Sequence, residues 1–94
     1  MQERSSASYE TRCSVMNIGQ SVAVLAVFDP SYKIRPLRFR WSGRFIKVEE
    51  ITYMWRAREG KNDIYHFSVT DGNALYELSY NTGSLLWRIE HLEA

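Results

Sequence analysis

From residue 20 onward, apolar and polar positions alternate in short runs divided by Gly, Pro, Asn or Asp. This is the period-two signature of half-buried β-strands. Ser21 to Phe28 is rich in Val, and its apolar run from Val22 to Phe28 is seven residues long. That is short for a helix, so a buried strand is expected. Asp29-Pro30-Ser31-Tyr32 should turn the chain, with Pro fixing φ and Asp bonding nearby backbone. Pro36 is then placed at the start or edge of the next strand, where it breaks no ladder.

Leu37 to Val48 has the form of a hairpin closed by Ser42-Gly43. A two-residue loop sets Trp41 opposite Arg44, Phe39 opposite Ile46 and Leu37 opposite Val48, with Arg38 beside Lys47 on the reverse face. A slip of one residue would set Phe39 against Lys47. Beyond Val48 the alternation breaks at Glu49-Glu50 and resumes with Ile51, Tyr53, Trp55 and Ala57. That break predicts a bulge, and a long strand from Phe45 to Arg58 that bends to serve two partners. Taking Glu59 to Asp63 as a five-residue loop places Trp55 opposite Phe67. Asp71-Gly72 as a two-residue loop places Phe67 opposite Tyr76, and a loop at Asn81 to Ser84 aligns Leu78 with Trp87.

These registers agree with one another and predict an all-β fold: an antiparallel meander of about six strands, curled into a small SH3-like barrel or roll. Residues 1–19 are expected to form a flexible lead segment and residues 20–94 a single β domain. Trp55, Phe67, Tyr76 and Trp87 should share the core face. Arg56, His66, Glu77 and Arg88 should then lie side by side on the other. The bland reading is a cross-strand charge ladder, each pair contributing roughly 0.2–1 kcal/mol. The sharper one is a His-Glu acid-base pair between arginines, which lacks a nucleophile or second carboxylate beside it.

Composition changes this picture in three ways. Three Trp, six Tyr and four Phe in 94 residues fill one small core efficiently. Cys13 is the only cysteine, so no internal disulfide forms and a cytoplasmic setting is expected. The longest apolar run is far too short to span a bilayer, and no signal-peptide block is present, so no membrane role is expected.

Charge is segregated although the net is only +1. Eight basic residues between Lys33 and Arg58 face only Glu49 and Glu50, while four acids follow from Asp71 against Arg88. Arg38 beside Lys47 is a like-charged pair, unfavourable unless an anion lies close. Arg38, Arg40, Arg44, Lys47, Arg56 and Arg58 therefore form the candidate phosphate-facing surface, with Phe45 as a ring able to stack on a base. Cys13, His66 and His91 have no zinc-site spacing, and no phosphate loop, dinucleotide fingerprint or Gly-x-Ser-x-Gly motif occurs. No catalytic residue, metal or cofactor is expected, and an enzyme is not. The alternative is a protein-binding or self-associating module whose strand Val22 to Phe28 adds to another sheet by its edge. A third idea is a small-ligand pocket lined by Tyr53, Tyr65 and Tyr80.

Val22-Ala-Val24, Phe39-Arg-Trp-Ser-Gly-Arg44, Trp55-Arg56, Gly72-Asn-Ala-Leu-Tyr-Glu-Leu78 and Trp87-Arg-Ile89 occur in that order. In this the chain resembles a bacterial all-β domain family of unknown function, over roughly Val22 to Leu92. It has one more residue between Gly72 and Tyr76 than the family's pattern. Some members resemble C-terminal appendages of proteins similar to Y-family, lesion-bypass DNA polymerases. The resemblance implies DNA or a DNA-repair protein as partner and transfers no binding residues.

Overall fold

The alternating runs pair into one antiparallel sheet. The computed structural model describes residues 15–30 and 33–94. Its strands are β1 (Val15–Asp29), β2 (Lys33–Trp41), β3 (Arg44–Lys47), β4 (Glu50–Glu59), β5 (Asn62–Thr70), β6 (Leu75–Asn81) and β7 (Leu86–Glu93). Their order across the sheet is β3-β2-β1-β7-β6-β5-β4, and no helix occurs among the described residues. β1 begins at Val15, upstream of the expected domain start at residue 20. The rest of the expected lead segment, and Ser31-Tyr32 of the turn, lie outside the described residues.

Two long runs change partner and curl the sheet. β1 pairs with β7 from Val15 to Val22 and with β2 from Ala23 to Asp29. Only Val48 and Glu49 separate β3 from β4, although these are the two outer strands. The Val48 N–H donates to Leu37 O on β2 at 2.9 Å, and the Glu49 N–H donates to Thr70 O on β5 at 2.8 Å. Successive N–H groups point opposite ways along a strand. This is therefore one bent run with β2 on one side and β5 on the other, as the break at the Glu pair predicts. The structure counts it as two strands, which makes seven where about six were expected. β3 and β4 share no ladder, so the curled sheet does not close into a barrel.

The curl brings the inner faces of β2 and β3 against those of β5, β6 and β7. Phe39, Ile46, Phe67, Val69, Tyr76, Leu78, Tyr80, Trp87 and Ile89 form the core. Phe39 meets Tyr76 edge to face at 5.2 Å, and Phe67 lies 5.6 Å from Trp87. Pro36 sits inside β2 instead of at its start. It occupies the step in register between Leu25 and Ala26, an irregularity that accommodates a residue with no N–H, and it is fully buried.

Three loops differ from the sequence expectation, with different consequences. Asp71 to Ala74 forms a four-residue loop, because Thr70 pairs with Leu75. The Asp71 carboxylate accepts the N–H groups of Asn73 and Ala74, both at 2.9 Å. The β6–β7 loop is similarly moved, with Asn81 paired to Leu86 and Asn81 Oδ1 accepting the N–H groups of Gly83 and Ser84. Each register moves by two residues next to its loop, which leaves those side chains on their expected faces; beyond the step between Glu77 and Leu78 the β6–β7 register moves by three, so His91 turns outward and Leu92 inward.

The third loop has the larger effect. Glu59 pairs with Asn62, so Gly60-Lys61 is a two-residue turn and not part of a five-residue loop. That moves β4 by one residue and turns it over. Trp55 faces His66 on the outer side, while Met54 faces Phe67 and Arg56 faces Tyr65 on the inner side. A further irregularity between Ile51 and Tyr53 leaves Ile51 inward, opposite Val69, and Tyr53 outward. Trp55 therefore does not share the core face with Phe67, Tyr76 and Trp87. The three tyrosines are divided likewise: Tyr65 pairs with Tyr80 within the sheet's inner face, and Tyr53 is outside.

Candidate nucleic-acid interface

The β2–β3 hairpin forms as the alternation dictates. Ser42 and Gly43 both adopt positive φ, 56° and 76°, the twist that suits a two-residue hairpin loop. Trp41 pairs with Arg44, Arg40 with Phe45, Phe39 with Ile46 and Arg38 with Lys47. Phe39 and Ile46 are buried, which fixes the register, and Arg38, Arg40, Phe45 and Lys47 necessarily project from the outer face. On β1 the same face continues with Leu25 beside Arg38 and Ala23 beside Arg40.

Phe45 is 71% exposed, and the Arg40 guanidinium stands 5.6 Å from its ring centre. Arg38 and Lys47 face each other directly, and among the described residues neither they nor Arg40 has a carboxylate partner. Two like charges about 6 Å apart repel by about 0.7 kcal/mol even in water. Arg38, Arg40 and Lys47 thus make this outer face positive, with the Phe45 ring standing among them.

The other sequence-predicted cations fall elsewhere. Arg44 projects from the inner phase of the hairpin end, beside the Tyr76 hydroxyl. Arg56 shares the inner phase of β4 with Tyr65. Arg58 is cross-strand to Asp63, with Nε–Oδ1 at 3.9 Å. The six cations expected to form one surface are thus separated, and Arg38, Arg40 and Lys47 alone stay together.

A second polar region covers the outer face of β4 to β7. Trp55 stacks on His66 with ring centres 4.9 Å apart and planes 5° apart. His66 Nδ1 lies 3.1 Å from Glu77 Oε2, so this pair meets as expected, though diagonally, since His66 is directly opposite Ser79. Arg56 is absent from the row because β4 is turned over, and Arg88 lies opposite Ser79. Sequence reasoning missed His91, which faces Glu77 with Nε2–Oε1 at 3.7 Å and places Nδ1 2.7 Å from Asn17 Oδ1. A step in register between Glu77 and Leu78 creates that pairing. Its signal was present in the apolar spacing Trp87, Ile89, Leu92, which passes from two to three.

Glu90, at the same step, accepts hydrogen bonds from Ser79 Oγ at 2.7 Å and Arg88 Nε at 3.2 Å. A hollow of about 610 Å³ lies over Ile64, His66, Ser79, Arg88 and Glu90, and one of about 380 Å³ over Tyr53, Trp55, Glu77 and His91. Every charged group singled out in this region already has a partner, in contrast with the hairpin face. Gly19, at φ +66°, allows Arg88 its position: a Cβ there would stand 3.1 Å from Arg88 Nη2. Gly19→Ala is expected to destabilise the fold by about 1–2 kcal/mol through left-handed strain and displacement of Arg88. A lower urea midpoint at unchanged slope would register it; an unchanged midpoint would contradict it.

Comparison of the chain with protein-family profiles, with curated proteins and with solved structures finds no match.

Proposed function

We propose that this chain is a non-enzymatic module, on a small SH3-like scaffold, that contacts nucleic-acid phosphates with the outer face of its β2–β3 hairpin. The observation that carries this reading is the directly opposed, carboxylate-free pair Arg38 and Lys47 beside the exposed Phe45 and its neighbour Arg40. A like-charged pair without a counterion is a standing invitation to an anion, and an exposed ring between phosphate contacts suits an unstacked base. The resemblance to domains appended to polymerase-like proteins agrees with a cytoplasmic, DNA-repair setting. Single-stranded nucleic acid is the preferred ligand, because Phe45 needs an unpaired base on which to stack.

Binding of a fluorescent single-stranded oligonucleotide across a salt series tests this. Three phosphate contacts predict a slope of log K against log salt of about −2, with affinity in the non-specific range of roughly 10⁻⁴ to 10⁻⁶ M. Arg38→Glu combined with Lys47→Glu should weaken binding at least about tenfold, since it reverses two contacts. Phe45→Ala should weaken single-strand binding by about tenfold and leave duplex binding unchanged. Equal affinity of the double variant and the parent would remove the hairpin face from consideration.

A further inference from the structure

We propose that two copies of the chain join through the outer edge of β4, antiparallel, about a two-fold axis at Met54. Among the described residues β4 is the last strand of the sheet and is bonded only to β5, so every second N–H and C=O along its other edge is directed away from the ladder. Natural edges are guarded by shortness, Pro, Lys or a bulge. The other outer strand, β3, has four residues and ends in Lys47. β4 has ten residues with neither Pro nor Lys, and its irregularity lies near its start, leaving Tyr53 to Glu59 in regular pairing with β5. At the middle of this edge Tyr53 is 65% exposed and Met54 47% exposed.

The charge pattern along the strand specifies the occupant. Glu49 and Glu50 stand at one end; near the other, Arg56 and Arg58 outnumber Glu59. An antiparallel second copy brings the acidic end of each strand beside the basic end of its partner, twice. A parallel copy would set like against like. Arg58 is free to turn toward such a partner, because its contact with Asp63 is long and its side chain is mostly exposed.

The axis follows from the faces. A two-fold perpendicular to the sheet keeps inner side chains with inner ones, so one residue of β4 must lie on it. With Met54 there, Tyr53 of each copy faces Trp55 of the other, ring against ring, and the two Met54 side chains meet. With Trp55 on the axis, Tyr53 would face Ala57 and Met54 would face Arg56. With Tyr53 on it, Met54 would fall against Thr52 at the irregular step. The other two axes set one ring against its own copy and leave the second ring facing Ala57 or Ile51; the Met54 axis alone gives both rings of each copy a ring partner. It also differs from the edge pairing expected through Val22 to Phe28, a segment already bonded to β2 from Ala23 onward.

Cysteine cross-linking reads both the association and its register. In a Cys13→Ser background, Met54→Cys should oxidise to a disulfide-linked dimer in high yield. Directly opposed residues have Cα atoms about 4.5–5.5 Å apart, inside the range a disulfide bridges. Tyr53→Cys and Trp55→Cys should cross-link poorly alone and well when the two variants are mixed. The unsubstituted chain should sediment as a dimer at micromolar concentration, and Met54→Lys, at an exposed site, as a folded monomer. A chain that stays monomeric up to about 1 mM, or a Met54→Cys yield no higher than that of Arg56→Cys, overturns the proposal.

Discussion

Phe67→Ala is expected to lower stability by about 3–5 kcal/mol, the largest effect of any single truncation proposed for this chain. Phe67 has no exposed surface, and it lies 5.6 Å from the Trp87 ring with Leu78 directly opposite on β6. Removing it deletes a large apolar group and leaves a cavity between β5 and the core, where the neighbours cannot collapse without moving β6. A domain of this size has about 5–10 kcal/mol in total. Each kcal/mol corresponds to about 4–8 °C in melting temperature, so the variant should melt at least about 12 °C lower. Phe67→Leu, which keeps most of the volume, should recover more than half of that loss. A melting temperature within a few degrees of the parent would mean that Phe67 is not central to the core.

The β2–β3 hairpin was legible to the residue, because three independent signals coincide there. Alternation, a turn needing positive φ and the opposition of Phe39 to Ile46 all select one register. β4 was not legible, for two reasons that act together. Gly60 fits a two-residue turn as well as a longer loop, and only the partner strand decides between them. The apolar spacing Ile51, Tyr53, Trp55, Ala57 looks like one face, but the step at Thr52 divides it. The Thr52 hydroxyl donates to Ser68 O at 3.0 Å there, a satisfaction of the irregular backbone that no periodicity announces. Large rings also do not declare burial: Trp55 is held outside by stacking on His66.

The separation of the six predicted cations follows from that one strand. Arg56 and Arg58 belong to β4 and move with it, whereas Arg38, Arg40 and Lys47 belong to the hairpin that was read correctly. Charge segregation along the sequence becomes segregation in space. Asp63, Glu77 and Glu90, on β5 to β7, supply partners to Arg58, His66, Arg88 and His91. None of these contacts involves Arg38, Arg40 or Lys47, so those three keep their charge for something outside the chain.

The second large effect is expected at Asp71, the residue that widens the β5–β6 loop. Asp71→Ala should destabilise the fold by about 2–3 kcal/mol, because two N–H groups and a phenol lose a charged acceptor. Its carboxylate receives Asn73 N–H, Ala74 N–H and the Tyr76 hydroxyl, the last at 3.0 Å. Burial alone would raise its pKa. The bonds from Ala74 and Asn73, then the one from Tyr76, outweigh that and hold it below the ordinary 3.8. The unfolded chain therefore binds a proton first as pH falls. The Asp71 contribution is whole above about pH 3.8 and is lost as pH drops through the lower folded value. Tyr76 mirrors it at the alkaline end. Burial, then the Asp71 hydrogen bond and charge, raise its pKa above 10.0, against a smaller opposing pull from Arg44. Stability should therefore also decline as pH rises past 10.0, where only the unfolded chain has begun to lose that proton. Urea midpoints measured between pH 2 and 11 should show both limbs in the parent chain. In Asp71→Asn the acid limb should shrink, and in Tyr76→Phe the alkaline limb should shrink while the acid one persists in part through the two N–H bonds. An acid limb of undiminished size in Asp71→Asn would assign it to other carboxylates and leave the loop without its proposed anchor.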